Sequence, residues 1–340
     1  MQGSMATTST PPQEKKRRVW RVTRWVLLGV LVLLAGLLTL TFVRPLAVLW
    51  TATQMRLFLA GIHSDFTVIP YGGGQARIHY YVGGDGPPLV LVHGLGARAD
   101  DWANLMPQLV RDHHRVYALD LPGYGRSDWP TNVPYSIGNE AQAVEAFMDN
   151  RRLARTDLAG WSMGGWIAMR VALDEPQRIR RLMIFDSAGT RFAMPWDPAL
   201  FEPDTPAKLA ALDSLLMAGP APHVPGFIQR DIFRFVRKHG WVVRENMDSM
   251  LTGKDLLDGK LGALKMPMLI VWGKQDHLIP VAVGEAIHRD VPQSELEIFD
   301  GCGHLAPGQC AARIGPVVKG FLDETSPIGG RVGEVAGKPQ

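Results

Sequence analysis

Ser162 stands in the run Leu158-Ala-Gly-Trp-Ser-Met-Gly-Gly165, with Gly160 two residues before it and Gly164 two after it. A serine hydroxyl is a weak nucleophile that reacts only when lifted clear of the backbone and placed beside a base. The G-x-S-x-G spacing provides that clearance, because a sharp strand-to-helix turn needs small residues on both sides of the serine. Context separates such a turn from a chance match. Arg155-Thr-Asp-Leu-Ala159 is short and ends apolar, as a strand does. Trp166-Ile-Ala-Met-Arg-Val-Ala-Leu173 holds helix formers without Pro or Gly. The helix N-terminus beneath Ser162 favours developing negative charge.

The base needs an acid to orient it, and for a turn of this kind the chain order is Ser, acid, His. Asp276, in Trp272-Gly-Lys-Gln-Asp-His-Leu-Ile-Pro280, follows a buried apolar run and is the acid candidate. His304, in Asp300-Gly-Cys-Gly-His-Leu305, is the one among ten histidines that has both the position and flanking glycines. The competing assignments are Asp276 as a mere cap for a helix starting near Pro280, Asp186 as the acid, and His304 as a solvated loop histidine. An oxyanion needs backbone N–H donors. Met163, after the serine, offers one, and Leu95 in His93-Gly-Leu-Gly96 is chosen for the other. His93 reads as a structural histidine that orients this turn. In the loop Asp120-Leu-Pro-Gly-Tyr-Gly-Arg-Ser127, Arg126 and the following Asp128 read as fixing the backbone.

The elements that must position these residues alternate. Strand patterns fall at 66–69, 76–82, 88–93, 115–120, 157–161, 181–186, 266–272 and 295–299, eight in all. Helical patterns fall at 102–111, 137–152, 281–289 and 311–322, besides the helix after Ser162. Alternation of this kind implies a mostly parallel doubly wound sheet, an α/β fold. Residues 190–264 break it: proline-punctuated, with a helical stretch at 226–237, they predict a helical cap over the sheet end where such folds hold ligands.

Val26 to Val43 is eighteen residues without a charge, close to what a bilayer core about 30 Å thick requires. Lys15, Lys16, Arg17, Arg18, Arg21 and Arg24 precede it, whereas only Arg44 and Arg56 follow closely. The asymmetry predicts a single-pass anchor with a cytoplasmic N-terminus and an exported domain. A cleaved signal peptide is the competing reading, disfavoured by the length of the run and the lack of a cleavage site. The expected organisation is a basic tail at 1–24, an anchor at 25–44, a juxtamembrane helix at 45–65, core at 66–189, cap at 190–264, core at 265–324 and a loose tail at 325–340.

Net charge is +3 and much of the excess lies before the anchor, so no nucleic-acid surface is read. Two cysteines, Cys302 and Cys310, exclude a disulfide framework by count and show no metal-type spacing. They either bridge and brace the His304 loop or remain as two reduced thiols. No cofactor is expected.

HGLG, DLPGYGRSD, GWSMGG, WGKQDHLIP and GCGH, in this order, resemble the α/β-hydrolase fold superfamily over roughly 66–322. With the anchor, the set is similar to the membrane-anchored monoacylglycerol lipase and serine esterase group. The resemblance implies a triad of Ser162, Asp276 and His304. Trp161 replaces the His or Thr frequent before the serine, and Ala306-Pro-Gly-Gln309 replaces a more usual acidic, Pro-rich segment; both departures fall near the pocket. The expected activity is cleavage of carboxylic esters, lipidic acyl esters such as monoacylglycerols in particular. Trp161, Met194, Trp196 and Phe227 are the residues expected to bind substrate. The alternatives are a carbon–carbon bond hydrolase or cofactor-free haloperoxidase of the same fold and, in another class, a non-catalytic ligand-binding protein.

Overall fold

The computed structural model describes residues 12–112, 114–324 and 329–337. A single helix, α1 (Pro12–Val43), opens the chain and is followed across Arg44 by α2 (Pro45–Leu59). Within α1, Val19–Val43 is 25 residues long and apolar, and none of it is buried. At 1.5 Å per residue that exceeds the roughly 30 Å of a hydrocarbon core. The basic segment expected as a tail is instead continuous with this helix from Pro12 on; residues 1–11 lie outside the described residues. The juxtamembrane helix ends at Leu59, and the chain is already a strand by His63. The helix packs on the domain, with Leu57 fully buried.

The sheet has nine strands: β1 (His63–Tyr71), β2 (Gly74–Gly83), β3 (Pro88–Val92), β4 (Arg115–Leu119), β5 (Thr156–Trp161), β6 (Ile179–Phe185), β7 (Met268–Gly273), β8 (Glu295–Phe299) and β9 (Val332–Val335). Their order is β1-β2-β4-β3-β5-β6-β7-β8-β9. β1 and β2 pair antiparallel, β2 joins β4 antiparallel, and every later pairing is parallel. This is the mostly parallel, doubly wound α/β architecture expected, with nine strands where eight were read. The additional strand falls in the segment taken as a loose tail. It pairs with β8, and Arg331 just before it bonds Glu295 and reaches Glu297. Residues 325–328 and 338–340 of that segment lie outside the described residues.

Helices cover both faces, which is why the central strands β3 and β7 are apolar throughout rather than alternating. One face holds α4 (Ile137–Asn150), α5 (Met163–Asp174) and α8 (Val281–Asp290). The other holds α2, α3 (Met106–Arg111) and α10 (Ala311–Asp323), with short α9 (Ala306–Gln309) before it. The helix expected at 102–111 is split: Ala99–Asn104 forms a tighter 3-10 turn, and Pro107 at the second helical position starts α3 anew. Ser136 caps α4 by accepting the Asn139 N–H at 3.2 Å.

Between β6 and β7 the chain leaves the sheet and forms α6 (Pro206–Leu216) and α7 (Gly226–Leu251). α7 runs well beyond the 226–237 stretch read from sequence. It passes through Gly240, where an added Cβ would stand 2.9 Å from the Glu202 carboxylate, and continues because Val242 and Met247 are buried on its inner side.

Candidate active site

β5 delivers the chain at Trp161, and α5 takes it away at Met163. Ser162 between them has φ 56° and ψ −121°, a strained backbone for a side chain with a Cβ. Close approach of strand and helix makes the turn. A Cβ on Gly160 would lie 2.0 Å from the Gly164 carbonyl oxygen, and one on Gly164 would lie 2.3 Å from the Val92 carbonyl oxygen. Glycine is therefore required at both positions.

His304 sits on the loop after β8 and is almost fully buried. Its Nδ1 lies 2.8 Å from Asp276 Oδ2, and its Nε2 lies 2.9 Å from Ser162 Oγ. A ring nitrogen facing a carboxylate carries the proton, so Nε2 is left bare to accept from the serine hydroxyl. Asp276, on the loop after β7, is fixed through its other oxygen. Oδ1 accepts the N–H groups of Leu278 and Ile279, both at 2.8 Å. The carboxylate thus shapes the turn before α8 and meets His304 as well. Asp186, the competing acid, spends Oδ1 on the Gly273 N–H at 2.7 Å. Burial, together with the nearby Asp276 carboxylate, pushes the Asp186 carboxyl well above the usual range. It does not meet the imidazole.

The Met163 N–H is the first of α5 and, like that of Leu95, donates to no protein acceptor among the described residues. The Leu95 loop runs against the serine: a Cβ on Gly94 would stand 3.0 Å from Ser162 Cβ. His93 holds that loop. Its Nδ1 donates to the Gly94 carbonyl at 2.8 Å and its Nε2 accepts from the Leu121 N–H at 3.1 Å. Burial pushes its pKa down, in keeping with a neutral ring.

Ser162 opens into an apolar cavity of about 210 Å³. Met194 and Trp196 line it, together with Trp166, Met247, Met250 and Leu251. The last three escaped the sequence reading because α7 was ended too early, although their spacing is that of one helix face. Two expected substrate contacts lie elsewhere. Phe227 packs against Phe42 of α1, ring centroids 5.1 Å apart, because the N-terminal end of α7 meets the apolar helix rather than the cavity. The Trp161 side chain does not line the cavity; its indole turns to the His304 loop, donating to the His304 carbonyl at 2.8 Å. A second cavity, of about 310 Å³, lies beyond Leu95 and Phe201, which line both cavities. Leu46 and Trp50 of α2 are in its wall. Cys302 and Cys310 form a disulfide spanning the His304 loop, which decides between the two states left open above.

A model of the alpha/beta hydrolase fold family matches residues 87–308. The chain is 26% identical over 282 residues to a 2-hydroxy-6-oxononadienedioate/2-hydroxy-6-oxononatrienedioate hydrolase of Paraburkholderia phymatum, a match covering 77% of this chain and 96% of that one. The crystal structure of a membrane phospholipase A, described as a bacterial virulence factor, superposes with a TM-score of 0.73 at 25% identity, covering 88% of this chain and 100% of that one. That share exceeds what residues 63–340 make up, so the likeness extends into the segment before β1. A putative lipase from Acinetobacter baumannii has the same fold, with a TM-score of 0.71 at 24% identity over 80% of this chain and 95% of that one.

Proposed function

This chain belongs to the alpha/beta hydrolase fold family, and on that premise we propose that it is a membrane-anchored serine hydrolase cleaving carboxylic esters of apolar acyl groups, monoacylglycerols among them. The observation that carries the reading is the unbroken hydrogen-bond chain Ser162–His304–Asp276 at the mouth of an apolar cavity. Ser162 Oγ attacks the ester carbonyl while His304 Nε2 takes its proton. Asp276 holds the imidazole and stabilises its charged form. The N–H groups of Leu95 and Met163 receive the developing oxyanion. His304 then protonates the leaving alcohol, and water, deprotonated by the same nitrogen, releases the acid. The cavity walled by Trp166, Met194 and Met250 takes the acyl chain, and the second cavity, beside α2, takes the alcohol portion.

Anchoring is supported by α1, and the basic residues before its apolar part support a cytoplasmic N-terminus with the domain exported. The Cys302–Cys310 bridge agrees with an oxidising compartment.

A second reading, cleavage of a carbon–carbon bond, is favoured by the likeness to the Paraburkholderia protein. A dioate carries two carboxylates and calls for buried cations. Among the described lining residues of the two cavities the arginines are Arg191, which is exposed, and Arg98, whose guanidinium is already paired with Asp100. The cavity chemistry therefore favours the ester reading. Purified protein assayed with p-nitrophenyl esters, monoacylglycerols and a 2-hydroxy-6-oxo-dienedioate separates the two. Turnover of the esters, abolished in Ser162→Ala, is expected; turnover of the dienedioate alone reverses the assignment.

A further inference from the structure

Outside this site, Ser64 of β1 meets an imidazole and a carboxylate in the same order. His79 Nδ1 lies 2.7 Å from Asp120 Oδ2, so the proton rests on Nδ1, and the unprotonated Nε2 lies 2.9 Å from Ser64 Oγ and 3.3 Å from Arg126 Nη1. Arg126 Nη1 donates to the same Ser64 oxygen at 2.7 Å. The supports are rigid. Asp120 also accepts the N–H groups of Ala99 at 2.7 Å and Arg126 at 2.9 Å. The His79 ring is wedged against Phe66 and Tyr81, at 5.1 and 4.8 Å between centroids. His79 and Asp120 are fully buried, whereas Ser64 is exposed. The hydroxyl therefore has an imidazole behind it, the Arg126 guanidinium, lying over the Phe66 ring, beside it and solvent in front.

We propose that Ser64 is a second base-activated serine, a surface acylation site that accepts acyl groups from activated esters. Ser64 Oγ forms a bond to the ester carbonyl carbon as its proton passes to His79 Nε2. The tetrahedral oxyanion is met by the Arg126 guanidinium. The carbon–oxygen bond to the leaving group breaks, and the departing phenolate or alcohol carries off the proton from His79. Ser64 is left as an ester. Arg126 is the one donor to Ser64 Oγ among the described hydrogen bonds, and Ser64 is exposed. The site therefore suits good leaving groups such as phenolates, and is acylated rather than turned over.

The test uses the full chain in detergent carrying Ser162→Ala, so it stands or falls independently of the site proposed above. On exposure to p-nitrophenyl acetate, one equivalent of p-nitrophenolate is expected, with the acetyl group located on Ser64 by peptide mass spectrometry. The rate should exceed that of the guanidinium-unfolded chain by roughly 10²-fold, the contribution of a positioned general base. Adding Ser64→Ala should remove the modification. Adding Arg126→Gln should slow it about tenfold, with partial recovery in Arg126→Lys; near-ultraviolet circular dichroism verifies the fold of each variant. Acetyl groups only at other residues, or Ser64 modified as fast in the unfolded chain, or no response to Arg126→Gln, would each overturn the assignment.

Discussion

The indole Nε1 of Trp161 donates to the carbonyl oxygen of His304 at 2.8 Å, so the residue before Ser162 holds the loop that carries His304. The two rings lie 5.8 Å apart between centroids. In Trp161→Phe the ring contact is largely kept and the hydrogen bond is lost, a change of about 1 kcal/mol. Because the bond fixes where His304 sits and touches no substrate, kcat for p-nitrophenyl butyrate should fall about fivefold. KM should stay nearly constant. A rise in KM with unchanged kcat would show that Trp161 shapes the pocket instead.

Asp276 offers a sharper test of the proposed mechanism. Its Oδ1 is committed to the N–H groups of Leu278 and Ile279. In Asp276→Asn the amide oxygen must take over those two bonds, which turns the NH₂ group toward His304 Nδ1. Two donors cannot face each other, so the imidazole shifts its proton to Nε2 and can no longer accept from Ser162. Stability should change little while kcat falls by about 10⁴, the cost of the wrong tautomer in serine enzymes of this type. Burst kinetics with p-nitrophenyl acetate measure it, and a loss under tenfold would remove Asp276 from its assigned role.

Glu140 ties pH to stability. It is fully buried on α4, and the Tyr71 hydroxyl donates to Oε1 at 3.4 Å. Burial pushes its carboxyl well above the model-compound value of 4.5. The folded state therefore keeps a proton that the unfolded chain loses, and the stability this provides is fully present below pH 4.5 and declines as pH rises toward the folded-state value. Glu140→Gln fixes the neutral form. Its melting temperature should gain on wild type steadily from pH 5 upward; parallel curves across pH 4–9 would show that Glu140 ionises freely in the fold.

What was legible in the sequence was local. Ser162, Asp276 and His304 each stand in a short motif whose glycines and flanking strands announce a turn at one sheet end, and the structure brings the three side chains together there. What was not legible depended on contacts between distant segments. Val332–Val335 is too short and too close to glycine to read as a strand, and exists because β8 offers a parallel edge. Phe227 and Trp166 are both aromatic residues on helices, and only the packing of α7 on α1 sends the first away from the cavity. Ser64, His79 and Asp120 carry no common motif, since β1, β2 and the end of β4 bring them together only in the folded sheet.

Asp231 is the polar tie at the joint between α1, α2 and α7, beside the ring contacts Phe42–Phe227 and Trp50–Phe235. Asp231 of α7 is 4% exposed, and it accepts the Leu46 N–H at 3.1 Å and an Arg234 N–H at 2.6 Å, with Arg44 Nε at 3.5 Å. Arg234 also donates to the Val43 carbonyl at 3.2 Å, the last residue of α1. The far end of α7 supplies Met247, Met250 and Leu251 to the serine cavity. In Asp231→Ala the Leu46 N–H loses its acceptor, and two guanidinium groups lose their partner. The cost should be about 1–3 kcal/mol, several degrees in melting temperature. Ser162, His304 and Asp276 are untouched, so hydrolysis of soluble p-nitrophenyl butyrate should fall less than twofold at a temperature where the variant is folded. On the proposed reading, in which substrate reaches the second cavity from a bilayer past α2 and α7, hydrolysis of a monoacylglycerol embedded in vesicles should fall about tenfold. Equal losses on both substrates would mean that Asp231 only stabilises the fold.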